Sequence, residues 1–340
     1  MAIFITVIGF GIMVFLHELG HFITAKRFGV LVHEFAIGMG PKIFSFGKDE
    51  TKYSLRIFPI GGYVRLEGEN EIEDNNNPRS FSNLHPFKRI IVLVSGALMN
   101  ILLGILLFTI INISAGIVPT VIDTIPEQFA DEHTILQSGD EIIKLNNTRV
   151  RTNDDIHLFM SRYDNKEPIT ITFKRDGENL VAENFVPFKT ESGYKLGLIF
   201  KAEDASFLKS LRYSVYDTIY ITKAVIFAIG DIISGKVGMS SLSGPVEIVS
   251  VVDTVTSAEN THTLLSVLLL FAMITVNLGV FNLIPFPALD GGSIVFALYE
   301  LITEKKIKAE IVGYVSIIGF ALLMILAVFV TAGDIADLFK

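Results

Sequence analysis

The chain has 340 residues, half of them hydrophobic, and a formal net charge of −8. An acidic balance speaks against a nucleic-acid partner, whose phosphates need a basic face. The absence of cysteine excludes disulfides and thiolate metal sites, so any metal must take nitrogen and oxygen ligands.

Uncharged runs extend over Met1 to Leu16, Ile90 to Val118, Thr263 to Leu289 and Ile311 to Gly333. The last three exceed the roughly 20 residues needed to cross hydrocarbon. The fold expected is therefore a polytopic α-helical membrane protein with four transmembrane helices, over residues 1–28, 89–118, 263–292 and 311–333. The first run lacks a basic leader and a small-residue cleavage site, so it reads as a retained helix. It reaches a full span only by continuing through "HELGHFITA", which carries His17 and His21 into the membrane or to its edge. Ten basic residues lie between Lys26 and Arg89 and three between Glu300 and Glu310, which places those segments inside and both termini outside.

Residues 29–70 alternate apolar and polar side chains around Gly47-Lys48-Asp49-Glu50 and end near Gly61-Gly62, the pattern of a hairpin plus an extra strand. The many apolar side chains fit either a sheet that dips into the bilayer or a surface hairpin. An acidic, asparagine-rich linker occupies residues 71–88. Residues 119–190 turn soluble in character, with short strands, a helix "NDDIHLFMSRY" capped by Thr152, and a hairpin turning at Asp176-Gly177. After a connector at 191–206, residues 207–236 form an amphipathic helix. Its charged residues Lys209, Arg212, Asp217, Lys223 and Asp231 share one arc. Such a helix lies in the membrane interface or packs on the soluble domain. A second connector, 237–262, leads to the third span.

His17 and His21 are four residues apart, hence roughly 40° apart around a helix and able to grip one ion. With Glu18 between them they form the HExxH pattern, in which two imidazoles hold zinc and the glutamate acts as general base. Catalytic zinc takes a third protein ligand and leaves a position open. Asp290 is the candidate, the only acidic residue between Glu259 and Glu300. Pro285 and Pro287 break the helix before it, and Gly291-Gly292 allow close backbone approach. A lone aspartate after a span is otherwise an interfacial cap; the pairing with HELGH favours the ligand. His33, His85, His133, His157 and His262 lack ligand spacing.

The piece "HTILQSGDEIIKLNNTRV" resembles the core of PDZ domains in bacterial membrane proteases, although Thr134 and Ile135 replace the small residues usual before the Gly-Asp turn. "HELGH" in the first span and "NLIPFPALDGG" in the third resemble the site-2 protease family of intramembrane zinc metalloproteases. "GGYVRLEGE", "FKRIIVLVSGALMN" and "LSGPVEIV" also resemble its bacterial members. The resemblance implies a bacterial cytoplasmic-membrane enzyme with one inserted PDZ-like α+β domain outside. Its substrates would be single-span membrane proteins already cut by another protease, such as anti-sigma factors or signal-peptide remnants. Zinc ligands would be His17, His21 and Asp290, and the base Glu18. Asn277 and Asn282 would handle substrate, and the strand at Gly61, Gly62 and Tyr63 would hold it extended; a peptide ligand of the PDZ-like domain is a further implication. Alanine stands after the glycine of "SGALMN", where the family has proline, a change expected to alter span packing and leave the ligands untouched. A membrane metal transporter or sensor, or an inactive PDZ scaffold, are the rival readings.

Overall fold

The computed structural model describes residues 1–47, 50–69, 77–129, 135–164, 167–191, 193–238, 244–257 and 263–337. Lys48 and Asp49 of the expected turn, linker residues 70–76, His133, Thr134, Leu242 and Ser243 of "LSGPVEIV", and His262 lie outside these. In chain order come α1 (Ala2–Arg27), β1 (Val32–Phe46), β2 (Lys52–Leu66) and α2 (Pro86–Ala115). Next are β3 (Ile122–Thr124), β4 (Glu141–Leu145), β5 (Thr148–Arg149), α3 (Asn153–Ser161), β6 (Ile169–Arg175) and β7 (Glu178–Phe185). The last are β8 (Phe188–Thr190), β9 (Gly193–Lys195), β10 (Ile199–Phe200), α4 (Phe207–Ile233), α5 (Pro245–Ser257), α6 (Thr263–Asn282), α7 (Asp290–Thr303) and α8 (Ala309–Asp337). The chain forms two compact units, Met1–Gly104 with Val225–Lys340, and Ile105–Ala224.

The first unit is built around helices long and apolar enough to cross a membrane; α1, α2, α6 and α8 meet that condition, and the chain is a helical membrane protein. A helix satisfies its backbone internally, which is why an apolar run in lipid takes this form. On α8, Ile317, Ile318, Phe320, Ile325, Val328 and Phe329 all face outward. A belt of this kind is stable only against hydrocarbon. Helix α1 stops at Lys26 and Arg27, whose charges complement its C-terminal dipole, and Gly29 at φ 82° lets Val30 N–H close back onto Ala25.

The third apolar run is interrupted ahead of Asp290, as its two prolines predict. Helix α6 ends at Asn282, the segment with Pro285 and Pro287 turns, and α7 restarts at Asp290. Proline cannot donate to a helical ladder, so the break falls where the sequence places it. Gly291 and Gly292 make the re-entry tight: a Cβ on either would stand 2.0 Å from Ile284 O or 2.4 Å from Phe286 O. At the far end of α7, Glu300 pairs with Arg89 of α2 and accepts the Ile307 N–H, fixing the helix's C-terminal end.

Strands β1 and β2 pair in more than one register. Residues 52–55 lie along one edge of residues 34–37 while residues 53–56 also pair with residues 42–46, and after a bend at Gly61 (φ 84°) residues 62–66 run along the other edge of residues 32–37, giving four strand segments from two elements. Met39, Ile43, Phe44, Ile57 and Phe58 at its outer part are exposed, whereas Val32, Phe35 and Val64 join Phe81 and Val92 in a core. Glu34 is 4% exposed in this sheet, held by Ser54, Arg56, Tyr63 and Lys42. Burial alone would raise its carboxyl, but these hydrogen bonds outweigh burial and hold it at about 2.

Within the second unit, an antiparallel sheet in the order β5-β4-β6-β7 packs with α3 over a core that includes Ile142, Leu145, Ile171 and Phe173. Thr152 Oγ1 accepts the Asp155 N–H at 3.3 Å, the expected N-cap. Buried Asp140, after the Gly139 turn, receives both Nε and Nη2 of Arg175 at 2.7 Å. The first part of α4 turns Asp217 and Lys223 of its polar arc inward. Asn112 Nδ2 reaches Asp217 Oδ2 at 2.8 Å, and Lys223 Nζ reaches Asp155 at 2.7 Å. Phe207, Leu208, Val215 and Ile219 are left exposed.

Glu34→Ala leaves Arg56 without its counter-charge in the sheet and should destabilise the protein by about 3 kcal/mol, read as a lowered thermal midpoint in detergent. Because the Glu34 carboxyl is depressed from 4.5 to about 2, its contribution is complete above pH 4.5 and disappears as pH falls towards 2. Wild type and Glu34→Ala should therefore converge in stability over that window.

Candidate metal centre

Helix α1 presents His17 and His21 on one face, with ring centroids 4.8 Å apart and planes at 80°. The break before α7 brings Asp290 to the same point. His17 Nε2 and His21 Nε2 are 3.1 Å apart, and Asp290 Oδ2 lies 3.2 Å from the first and 3.4 Å from the second. Asp290 Oδ2 is buried and makes no hydrogen bond of sound geometry, although two nitrogens stand beside it.

Those distances test whether a metal fits. Zinc bonds nitrogen at about 2.0–2.1 Å and carboxylate oxygen at about 2.0–2.2 Å, and a tetrahedron with such bonds has edges of about 3.3 Å. The three atoms match one face of that tetrahedron and leave its fourth corner open. The donor set, two imidazoles and a carboxylate, is also one that zinc takes at hydrolytic sites. Among the described residues this is the one group of three such side chains gathered around a common point.

Helix α2 closes the back of the site. His21 Nδ1 lies 2.8 Å from Val92 O, which fixes that ring, and His17 Nδ1 lies 3.4 Å from Asn100 Nδ2. Gly96 sits directly beneath both rings: a Cβ there would be 2.3 Å from His21 Nε2 and 2.9 Å from His17 Cε1. Thr24 Oγ1 and Ser95 Oγ, 2.8 Å apart, join the two helices one turn further along.

Glu18 points to the sheet side of α1. The Val64 backbone faces its carboxylate, and a Cβ added to Gly62 would stand 3.4 Å from its Cγ. It interacts electrostatically with His17, His21 and Asp290, as does Glu69 in the turn after β2 with His21, Glu18 and Asp290. Gly62 is thus brought to Glu18. Gly61 instead packs against Met39, and the Tyr63 hydroxyl is engaged with Glu34 and Arg56. Asn277 and Asn282 lie on α6, Asn277 with a buried Oδ1 that has no partner. Helix α6 meets α2 where Gly279 packs on Ala97 O and Asn100 Cβ.

Sequence reasoning missed the contribution of α2. Ala97, the residue that stands where the family has proline, packs toward α6 and does not touch the ligands, but its neighbours Gly96 and Asn100, which the sequence reading did not single out, touch the imidazoles. Asn100 could have been suspected as a polar residue within an apolar run, since such residues in membranes are seldom idle.

A membrane helical bundle with a zinc-shaped site of two imidazoles and one carboxylate defines a membrane metalloprotease class. The sequence profile of peptidase family M50 matches residues 5–326, and the chain belongs to this family of zinc metalloproteases. It is 37% identical over 336 residues to a protein of Clostridium acetobutylicum named as an inferred zinc metalloprotease, covering 98% of this chain and 97% of the relative. It is 30% identical over 414 residues to zinc metalloprotease RasP of Geobacillus kaustophilus, with 98% and 97% covered. Membership decides against a transporter and against a scaffold without chemistry, and the cofactor is zinc.

Gly96→Ala should push the imidazoles apart and lower zinc affinity by about tenfold or more. Elemental analysis of the purified protein against a graded chelator series measures this; undiminished metal retention would contradict the packing described.

Proposed function

We propose that His17, His21 and Asp290 hold the catalytic zinc and that Glu18 is the general base in hydrolysing peptide bonds of single-span membrane proteins. The triangle of 3.1, 3.2 and 3.4 Å between the three ligand atoms is the observation that carries this reading. Zinc at such a site supplies a Lewis acid and lowers the pKa of water towards 7. Glu18 takes the proton of the attacking water and later hands it to the departing amine. The Val64 backbone beside the Glu18 carboxylate supports its placement for both transfers.

A substrate helix hides its carbonyls in its own hydrogen bonds, so it must be unwound before it is cut. The edge of residues 62–66 turned away from β1 supports strand addition, because the Val64 backbone faces Glu18 from that edge. Asn277 and Asn282 offer amide groups to the freed backbone. The exposed Phe44, Ile57 and Phe58 support entry of the outer sheet into the bilayer. Basic residues from Lys26 to Arg89 support an active site near the cytoplasmic face. The PDZ-like unit then stands outside, where it would meet a peptide end left by the earlier cut, and the membrane is the bacterial cytoplasmic membrane.

Glu18→Gln should keep stoichiometric zinc and lose cleavage of a co-expressed, tagged single-span substrate by at least about 100-fold; full activity would refute the base assignment. Asn282→Leu should retain zinc and slow cleavage of the same substrate severalfold, and cleavage at the wild-type rate would remove the asparagine from substrate handling.

A further inference from the structure

An imidazole that gives Nε2 to a metal must carry its proton on Nδ1, and that proton needs an acceptor when the ring is buried. For His21 the acceptor is in place, Val92 O at 2.8 Å. His17 is 9% exposed and has one polar neighbour at Nδ1, the side chain of Asn100. Asn100 is 0% exposed, in α2, with its amide nitrogen 3.4 Å from the ring and its Oδ1 buried without a partner. In that orientation two donors would meet once Nε2 holds a metal. Amide oxygen and nitrogen differ only by a half-turn of the terminal group. The half-turn breaks no hydrogen bond except the one to His17 itself, and it brings the orphaned oxygen to the Nδ1–H.

We propose that Asn100 is a positioning residue of the metal centre: its Oδ1 accepts the Nδ1–H of His17, fixing the tautomer and ring plane that deliver Nε2 to zinc. The inference rests on His17 being a zinc ligand. Asn100 is itself located by the helix contact, since Thr275 Oγ1 of α6 donates to Asn100 O at 3.2 Å and Gly279 packs on Asn100 Cβ. The α2–α6 packing is thereby tied to the geometry of a ligand on α1. Leucine at this position would leave the Nδ1–H without an acceptor, and the ring would turn or take the other tautomer.

The test is zinc affinity of the full-length protein in detergent, measured by chelator competition for wild type, Asn100→Leu, Asn100→Asp and His17→Ala, with the metal-free thermal midpoint as a control for folding. A carboxylate accepts but cannot donate, so Asn100→Asp separates an acceptor role from packing. The expected result is a loss of about 10- to 100-fold in affinity for Asn100→Leu and near-wild-type affinity for Asn100→Asp. The cobalt-substituted Asn100→Asp protein should also keep the wild-type visible spectrum. Wild-type affinity in Asn100→Leu, or an equal loss in both variants, overturns the proposal. If Asn100→Leu does not fold, Asn100→Asp decides alone: retained affinity supports the acceptor role and a tenfold loss overturns it. Zinc held by wild type but also by His17→Ala would overturn the ligand set itself, an outcome distinct from failure of the Asn100 role.

Discussion

Two imidazole nitrogens and a carboxylate oxygen held within 3.4 Å of one another in an apolar bundle need a proton or a metal cation among them to offset their lone-pair repulsion. That constraint organises the first unit. An unpaired acidic residue at mid-bilayer is disfavoured by roughly 2.5–3.5 kcal/mol on insertion scales, so the aspartate and its imidazoles are tolerable together and not separately. Metal binding of the strength found in structural sites, about 10–16 kcal/mol, leaves ample margin even for a weaker catalytic site. The break after Asn282, the left-handed Ala288 at φ 76° and the close approach at Gly291 all lie within eight residues of Asp290. A non-glycine residue in that conformation is strained by about 1 kcal/mol or more. Strain gathered so near a ligand is intelligible if the carboxylate's placement matters more than the regularity of the span.

The surface shows which solvent the chain expects. Helix α8 and the outer sheet expose large apolar side chains, while Glu34 is enclosed by Ser54, Arg56, Tyr63 and Lys42. In α4, Asp217 and Lys223 face protein while Phe207, Leu208, Val215 and Ile219 are bare. A water-soluble protein would reverse both arrangements, because apolar burial drives its folding. In lipid that drive is absent between helices, and internal hydrogen bonds such as Asn112 to Asp217 take a larger share of the association.

What was legible in the sequence follows from range. His17 and His21 are linked by a local helical period, the break before Asp290 by two prolines, and the Thr152 cap by its immediate successors; each is decided within a few residues. The double pairing of β2 was visible as an alternating pattern with an extra strand, but not the edge on which each half would lie. Gly96 and Asn100 were hidden because their role depends on which face of α2 meets α1, and α2 is apolar all round with no stripe to mark it. The direction of α4 was hidden for a related reason: an amphipathic period states that two faces differ, not which one meets protein. Tyr63 was grouped with Gly61 and Gly62 by adjacency, yet alternation along a strand sends its side chain to the opposite face from Gly62, into the Glu34 network.

Successive positions on a helix are about 100° apart, so His17 and Glu18 address different neighbours. On α1 the histidines face α2 and α7, and Glu18 faces β2. On the proposed reading, a substrate strand added beside residues 62–66 lies along the Glu18 side, and the metal lies one helical step away. This arrangement gives a reason for the base to occupy the position between the two imidazoles: that residue borders both the metal face and the strand edge. Gly62 is held small by β1, since a Cβ there would stand 2.9 Å from Ala36 O, and its lack of a side chain leaves Glu18 in ordinary contact with the strand that borders it.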